Sequence, residues 1–558
     1  MDFNPCEMNF YSLSYNKTLL VIFVLRQFVL QSLAQPFSPA DSLRGSLTSP
    51  FRTCYDINFY HLNIKVDVDK GFISGSNRFE FTATQDFETL QFDLFENLEI
   101  EQVVYQNTSI PFKREFNAVF ITFPETIKAK SKESFTVYYS GYPKIARNAP
   151  WDGGLVIAKH DNGKPWLATA CQGLGASVWW PNKDQQADEV DSMLISVSVP
   201  NNLMDVSNGK LRKITPLGDG YTRYDWFVSY PINNYGVALN IANYEHIGES
   251  YKSKNGALSV DYFVLPENVE KAKSHLRKNV VQMLTAFEYW FGSYPFFKDG
   301  YKIVETPFVG MEHQSCIAYG NGFQNGYSGD DLSGTGWGLK WDFMVVHESG
   351  HEWFGNNITS KDIADMWIHE SFTNYSEALF TEYWYGKPAG KAYVLGLRSK
   401  ILNDNPIIGT YGVNNPGSGD MYFKGANLLH MLRTIIHNDK TWRSILLGLN
   451  QKFALKTVTT EQIVDYINTV SKHDFTPVFN QYLRYKSLPV LRYKIENGKL
   501  FYKWKANVSD FNMPLEIIIN GVNRKIYPTS EEKNFKIKSA VKEIKIKEDY
   551  YVRLEKSP

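Results

Sequence analysis

Hydrophobic and polar residues alternate with the period of a β-strand through the first third of the chain. Residues 60–68 read Tyr-His-Leu-Asn-Ile-Lys-Val-Asp-Val, so every second side chain would face the same side of a sheet. Glycine, proline and asparagine separate such runs. Further strand-like runs lie at residues 72–82, 118–123, 192–199 and 221–227. We therefore expect an amino-terminal β domain over residues 45–247.

The periodicity changes to that of an α-helix near residue 266. Pro266 opens a run to Phe291 in which apolar residues recur at helical intervals, and proline suits the first turn of a helix. Helical patterns continue through most of residues 248–487, and strand patterns return after them. We predict a mixed domain over residues 248–487 and a small β-sandwich over residues 488–558.

Residues 1–34 resemble an export signal. The apolar run at residues 19–25 is shorter than the roughly 20 residues that a membrane span needs, and small residues lead to a cleavage position at Ala34. Arg26 interrupts the apolar region, so a disordered or interfacial amino-terminal helix is the alternative, and Met8 is an alternative start. We expect an exported protein, periplasmic or secreted, with no stable membrane span.

The composition is that of an ordinary globular protein. Of the 558 residues, 43% are hydrophobic and 21% are charged, which excludes a mostly disordered chain. Lys and Arg number 59, as do Asp and Glu, so no positive field attracts nucleic acid, which is not an expected partner. The cysteines are too few and too scattered for a disulfide scaffold: Cys6, Cys54, Cys171 and Cys316.

A metal-binding pattern lies at residues 343–354. His347 and His351 are one helical turn apart on one face, from which both imidazoles can reach a zinc ion at about 2.0–2.1 Å. Glu348 lies beside the first histidine, where its carboxylate can take a proton from a zinc-bound water. Glycine and asparagine at residues 355–357 predict the end of the helix. Two surface histidines on a helix are the alternative interpretation of this short pattern.

A second helical segment supplies carboxylates at matching positions. Catalytic zinc needs three protein ligands and an open position, and Glu370, 19 positions after His351, would be the third ligand. Glu377 lies nearly two turns further on the same face, where it can accept the free N–H of a zinc histidine. A solvated helix glutamate is the alternative for Glu377. The glycine-rich residues 326–338 lack the Gly-Lys-Ser/Thr of a phosphate loop, so we expect a flexible loop beside the site.

These segments resemble the gluzincin aminopeptidases of the aminopeptidase N and leukotriene hydrolase family. That family has a glutamate 19 positions after His-Glu-x-x-His, and Trp-Phe-Gly-Asn follows the second histidine, as at residues 353–356 here. The resemblance covers roughly residues 55–485. Other similar segments are Trp-Ile-His-Glu-Ser-Phe at residues 367–372, Gly-Met-Glu at 310–312, Tyr-Phe-Lys-Gly-Ala at 422–426 and Cys-Gln at 171–172.

The resemblance implies a fold class, multidomain α+β. An amino-terminal β domain would precede a thermolysin-like α/β zinc catalytic domain with carboxyl-terminal helices. The strand patterns add a small carboxyl-terminal β-sandwich.

The resemblance also implies roles for residues outside the zinc motif. Glu312, with help from Gln172, would bind the substrate ammonium group, and Tyr422 would donate a hydrogen bond to the oxyanion. The backbone of Gly310 and Met311 would line the substrate. The alternatives are a capping or surface carboxylate for Glu312, a satisfied loop amide for Gln172, and a core or surface phenol for Tyr422.

The sequence departs from the family pattern beside the amine site. Val309 stands where a glycine is usual, and His313 stands where an asparagine is usual. Both should shape the first substrate subsites, so the preferred first residue stays open. His313 is not expected to bind a second metal, because no carboxylate pair accompanies it.

Together these features predict a zinc metalloaminopeptidase that uses one zinc ion and acts on peptides with a free amino terminus. Glu348 would activate the zinc-bound water that attacks the first peptide bond. The alternatives are a zinc endopeptidase and a non-catalytic binding protein, although the intact Glu348 argues against the latter. Neither an epoxide hydrolase side activity nor a choice between monomer and oligomer follows from the sequence.

Overall fold

The structure, a computed structural model, describes residues 37–537 and 540–557. The predicted signal peptide at residues 1–34 and Cys6 lie outside the described residues. In the described part of the chain, no helix combines the length and the apolar composition needed to cross a bilayer.

The predicted strand patterns of the first third form a β domain, preceded by short helices α1 (Pro39–Gly45) and α2 (Pro50–Thr53). Its strands are β1 (Tyr55–Asp67), β2 (Phe72–Ala83), β3 (Phe87–Asp93), β4 (Leu98–Tyr105), β5 (Thr108–Ile110), β6 (Phe112–Glu115), β7 (Ala118–Ile127), β8 (Lys132–Gly141), β9 (Gly154–Lys159), β10 (Pro165–Ala170), β11 (Ser192–Pro200), β12 (Met204–Val206), β13 (Lys210–Pro216), β14 (Tyr221–Val228) and β15 (Asn240–Ala242).

Three sheets build this domain. The largest has the order β13-β14-β11-β1-β2-β8-β4-β5, and the others are β12-β15-β10-β9 and β3-β7-β6. Strand β1 pairs with β11 in parallel and with β2 antiparallel. Its inward side chains Leu62, Ile64 and Val66 are buried, as the alternation predicts.

The second domain contains a five-stranded sheet with the order β16-β17-β18-β20-β19. Its strands are β16 (Glu245–Ser253), β17 (Gly256–Val264), β18 (Tyr301–Glu305), β19 (Gly310–Met311) and β20 (Ile317–Tyr319); β21 (Ile358–Ser360) and β22 (Lys456–Val458) form a separate pair. Strands β17, β18 and β20 run parallel, and the edge strands β16 and β19 run antiparallel to their neighbours.

Helices pack against this sheet and continue beyond it. They are α3 (Val269–Phe291), α4 (Phe343–Gly350), α5 (Trp367–Tyr385), α6 (Lys387–Gly396), α7 (Phe423–Ile436), α8 (Asp439–Lys452), α9 (Thr460–Ser471) and α10 (Thr476–Arg484). The helix predicted from Pro266 is present as a 3-10 turn (Pro266–Asn268) followed by α3. The buried face of α3 follows its apolar positions, including Leu276, Val280 and Phe287.

The zinc-motif segment leaves the helical conformation close to the predicted end at residues 355–357, but the regular α-helix ends earlier. Helix α4 ends at Gly350, and a π-helical turn (Glu352–Asn356) follows in which Phe354 and Gly355 leave the helical conformation. The departure turns the Phe354 carbonyl back toward the helix, where it accepts a hydrogen bond from His351 Nδ1 at 3.1 Å. The irregular end of the helix therefore places a carbonyl acceptor that fixes the orientation of the His351 ring.

The last strands form two small sheets, as the strand patterns after residue 488 predict. Their orders are β27-β24-β23-β29 and β26-β25-β28, built from β23 (Val490–Glu496), β24 (Lys499–Lys505), β25 (Leu515–Ile519), β26 (Val522–Ile526), β27 (Lys533–Lys536), β28 (Ile544–Ile546) and β29 (Arg553–Lys556). Leu491 and Trp504 belong to the same apolar core as Trp367 of α5. The predicted fold class is confirmed: β domain, mixed domain with helices, and carboxyl-terminal strands.

The first two domains meet at the edge strand β19. Met311 of β19 packs into the apolar core of the β domain, together with Phe308 and Val304. Strand β16 starts at Glu245, slightly before the predicted boundary at residue 247. Three cysteines lie among the described residues, and all are buried and unpaired: Cys54, Cys171 and Cys316.

Candidate active site

Helices α4 and α5 bring the three predicted zinc ligands together. His347 and His351 come from α4 and its carboxyl-terminal cap, and Glu370 comes from the first turn of α5. Glu370 Oε2 lies 3.4 Å from His351 Nε2 and 3.8 Å from His347 Nε2. All three ligand atoms lie within 4.8 Å of one another, and all three side chains are buried.

The hydrogen bonds of the two rings assign their tautomers. His347 Nδ1 donates to Glu377 Oε1 at 2.7 Å, and His351 Nδ1 donates to the Phe354 carbonyl. Each Nε2 is therefore an unprotonated acceptor in the neutral ring. Two lone pairs and a carboxylate oxygen thus converge on one point.

The hydrogen bonds of the buried Glu370 carboxylate indicate whether these residues fit a metal ion. Its Oε1 accepts a hydrogen bond from Gln172 Nε2 at 3.0 Å. Its Oε2 is buried and has no hydrogen-bond partner among the described residues. An orphaned carboxylate oxygen facing two imidazole acceptors is a costly arrangement unless a cation lies between them. The donor set, two nitrogens and one oxygen, suits zinc with an open position.

Glu377 holds the first histidine in place, as its predicted position requires. Besides the bond to His347, its Oε1 accepts from Asn374 Nδ2 at 2.8 Å, and its Oε2 accepts from the Tyr393 hydroxyl at 2.6 Å. The His347 ring also stacks on Phe343, with ring centroids 5.0 Å apart. Such contacts fix the direction of the ring nitrogen that would bind a metal.

Glu348 faces strand β19 across a very short gap. A Cβ atom placed on Gly310 would lie 2.9 Å from Glu348 Oε1 and 2.5 Å from Met344 Sδ, so any larger residue there would displace both side chains. Burial raises the pKa of Glu348 to about 7, although the nearby histidines oppose the shift. A carboxylate with that pKa can both take and give a proton near neutrality.

The two predicted amine-binding side chains are in direct contact. Gln172 Nε2 donates to Glu312 Oε1 at 2.6 Å as well as to Glu370. Because both partners are carboxylates, the Gln172 amide group must turn its NH₂ toward them and its oxygen away. Burial raises the pKa of Glu312, and the Glu370 carboxylate adds to the shift. A cationic group beside Glu312 would offset that cost.

Tyr422 lies at the start of α7 and lines the same cavity. Its ring stacks on the ring of His347, with centroids 6.2 Å apart and planes 25° apart. Burial and the carboxylates around it raise the pKa of Tyr422 well above its usual value. The phenol therefore keeps its proton and can donate a hydrogen bond.

Two residues without a predicted role at the amine site, Glu352 and Asn356, support it. Glu352 accepts hydrogen bonds from Ser315 N at 3.1 Å and from Asn356 Nδ2 at 2.8 Å. Asn356 also donates to the Glu312 carbonyl at 2.9 Å. Both lie directly after His351 in the zinc motif, and this position was the signal that could have indicated a role near the site. This network ties the π turn to the backbone of Glu312.

The residues that depart from the family pattern lie beside this network. Val309 lines the cavity. His313 is fully buried, neither ring nitrogen has a hydrogen-bond partner among the described residues, and burial lowers its pKa to about 3. His313 is absent from the ligand clusters found in the described residues, and a second cluster, of Glu312, Glu348 and His351, shares His351 with the first.

The cavity above these residues has a volume of about 290 Å³. Its lining combines the histidines, the carboxylates and Tyr422 with the largely apolar side chains of Val309, Tyr327, Leu332, Phe343 and Met344. Tyr327 and Leu332 belong to the predicted flexible loop, residues 326–338, which does lie beside the site.

Comparison with known proteins finds a family match for part of the chain and relatives for most of it. Residues 278–482 match the peptidase family M1 domain, which confirms the resemblance noted in the sequence. The chain is 24% identical over 486 residues to the probable aminopeptidase 2 of Sulfurisphaera tokodaii, covering 81% of this chain and 58% of that protein. It is 23% identical over 318 residues to human endoplasmic reticulum aminopeptidase 1, covering 55% of this chain and 33% of that protein. The chain thus spans about half, or less, of the length of these relatives.

Solved structures share the fold. The M1 zinc metallopeptidase of Deinococcus radiodurans superposes with a TM-score of 0.65 at 18% identity, covering 80% of this chain and 98% of that one. A variant of that metallopeptidase, solved with a Tyr-Ser-Ala substrate, gives a TM-score of 0.64 at 18% identity, covering 78% and 95%.

Proposed function

We propose that this chain, which carries a peptidase family M1 domain over residues 278–482, is a zinc-dependent aminopeptidase. The observation that carries the proposal is the hydrogen-bonded link from Glu312 through Gln172 to Glu370. The Gln172 amide thus joins Glu312, a carboxylate suited to an ammonium group, to Glu370, a carboxylate suited to a metal ion. A peptide gripped by its amino terminus there would present its first peptide bond to the metal position.

One zinc ion would bind between His347, His351 and Glu370. When bound, it would polarise the scissile carbonyl and lower the pKa of a coordinated water to about 7. The chain's own residues bind the substrate and move the protons.

Glu348 acts as the general base and then as the general acid. Its carboxylate accepts a proton from the attacking water and passes it to the nitrogen of the departing peptide. Its pKa of about 7, raised mainly by burial, supports both transfers at neutral pH.

Glu312 and Gln172 bind the substrate ammonium group. Glu312 supplies the negative charge. The Gln172 oxygen, which points away from the two carboxylates, accepts a further hydrogen bond from the ammonium. The relatives named aminopeptidases, and the related metallopeptidase solved with a tripeptide, support a substrate of this kind.

Tyr422 stabilises the charge that develops on the carbonyl oxygen. Its phenol stays protonated because burial and nearby carboxylates raise its pKa. A hydrogen bond from a fixed phenol costs no reorganisation during the reaction. The backbone of Gly310 and Met311 lines the bound peptide.

We also infer that the chain is exported. The apolar run at residues 19–25 and the small residues before Ala34 support a cleaved signal. Expression of the full chain, followed by amino-terminal sequencing of the mature protein, tests this proposal. An amino terminus still at Met1 or Met8 contradicts it.

The test of the function is a panel of fluorogenic aminoacyl substrates and short peptides, each with a free and an acetylated amino terminus. We expect cleavage of the free forms only, and loss of cleavage when a chelator removes the metal. In Glu312→Gln, kcat/KM for free-amine substrates should fall about 100-fold or more, because an ion pair with the ammonium is lost.

Each alternative gives a different result. Equal cleavage of free and acetylated peptides would favour a zinc endopeptidase. Stoichiometric zinc without cleavage of any substrate would favour a non-catalytic binding protein.

A further inference from the structure

Trp151 of the β domain is the most exposed of the large aromatic side chains at the cavity. It is 65% exposed and lines the cavity together with Gln172 and Val309. An exposed tryptophan at the mouth of a cavity offers a broad apolar surface that water covers until a ligand arrives.

A network of hydrogen bonds fixes the turn that carries Trp151. Asp152 Oδ2 accepts from Arg147 N at 2.7 Å, and Asp152 Oδ1 accepts from Asn148 N at 3.0 Å. Lys144 Nζ donates to the Asp152 carbonyl at 3.0 Å. The backbone that carries the indole is therefore held beside the cavity, so a ligand binding there has little loop ordering to bring about.

The same turn packs against the loop that carries Gln172. A Cβ atom on Gly153 would lie 2.7 Å from Leu174 Cβ, so the two loops touch at a position where only glycine fits. Leu174 is two residues from Gln172. Trp151 thus belongs to the side of the cavity that would bind the substrate ammonium.

This placement decides which substrate side chain Trp151 contacts. In a peptide, the terminal ammonium and the first side chain are attached to the same Cα atom. A surface beside the amine-binding residues therefore meets the first side chain, and the residues after the cleaved bond lie further away. The side chains of Val309, Tyr327 and Leu332 add apolar and aromatic surface to the same cavity.

We propose that Trp151 is a specificity-determining residue that packs on the first side chain of the substrate and selects large apolar ones, such as phenylalanine and leucine. The proposal rests on the proposed function and deepens it. The indole adds a broad apolar surface to the cavity, whose volume of about 290 Å³ accommodates an aromatic side chain. Small first residues such as alanine do not reach the indole and gain nothing from it.

The experiment compares Trp151→Ala, Trp151→Phe and the wild type on substrates that differ only in the first residue. For Phe and Leu, kcat/KM of Trp151→Ala should fall roughly 10-fold or more, and for Ala it should change less than about 3-fold. Trp151→Phe should recover most of the preference, since it keeps an aromatic face. Tyr142→Ala is the matched control, because Tyr142 is 56% exposed on the same domain and is not among the cavity residues.

A binding measurement separates this proposal from the proposed function. In a Glu348→Gln background, calorimetry with Phe-Ser-Ala and Ala-Ser-Ala gives the preference as a ratio of Kd values without turnover. We expect the ratio to fall about 10-fold when Trp151→Ala is added.

An unchanged ratio of Kd values would overturn the proposal, whether both affinities stay the same or fall equally. Absence of cleavage by the wild type, with the binding preference intact and dependent on Trp151, would count against the proposed function alone.

Discussion

Replacing Gly310 with alanine would test how much activity depends on the position of the Glu348 carboxylate, without changing the surrounding fold. The added Cβ atom would lie 2.5 Å from Met344 Sδ and 2.9 Å from Glu348 Oε1. Both atoms are at the ends of flexible side chains, so they can retreat without moving the backbone. We therefore expect the protein to fold and to bind zinc, with Glu348 displaced.

The size of the displacement follows from the contact distances. Nonbonded heavy atoms settle at about 3.5–4.0 Å, so the thioether must move by roughly 1 Å and the carboxylate by somewhat less. A misplacement of this size at a reacting group costs about 100-fold in rate, which corresponds to about 2.7 kcal/mol of activation free energy. The cost in stability should be smaller, about 1–2 kcal/mol, because overpacking is relieved by side-chain rotation.

The assay is kcat and KM on a free-amine substrate, with zinc content and the urea unfolding midpoint measured on the same samples. Gly248→Ala is the control, because Gly248 lies on strand β16 and a Cβ atom there meets nothing closer than 3.4 Å. Full activity in Gly310→Ala would refute the role of the Glu348 position. Loss of the fold would show instead that the two side chains cannot move aside.

Four other substitutions probe the remaining contacts. Glu348→Gln should keep zinc and lower kcat at least about 1,000-fold, measured by initial rates; an active variant would contradict the base assignment. Tyr422→Phe should lower kcat about 100-fold with little change in KM, and a loss confined to KM would contradict its part in the transition state. Glu377→Gln should weaken zinc binding about 10–100-fold in competition with a chelator, since the His347 ring loses its acceptor; unchanged retention would argue against this. Glu352→Ala should lower the free energy of unfolding by at least about 2 kcal/mol in urea titrations, because buried donors lose their acceptor; an unchanged midpoint would contradict it.

The zinc motif could be predicted because its information is local. His347 and His351 share a face through helix geometry alone. Glu370 and Glu377 follow on the next long helix, so their relation also depends on helical spacing. The fold class followed from equally local patterns, strand alternation in the β domain and helical periodicity from Pro266.

The contacts between distant segments were not accessible in the same way. The bond from Gln172 to Glu370 joins residues 198 positions apart, and only the resemblance suggested that Gln172 matters. The π turn after α4 depends on a side-chain-to-backbone bond from His351 to Phe354, which competes with regular helix ending. Trp151 is a single aromatic residue in a turn, without a periodic pattern to mark it.

The proposed amine site is assembled from two domains. Gln172 comes from the β domain, whereas Glu312 and Glu370 come from the second domain. Any separation of the two domains would remove Gln172, the amide that joins Glu312 to Glu370, and would leave Glu312 and the histidines of α4 together. The second domain alone would therefore keep its metal ligands and the Glu312 carboxylate, but not the amide that fixes the spacing between Glu312 and Glu370.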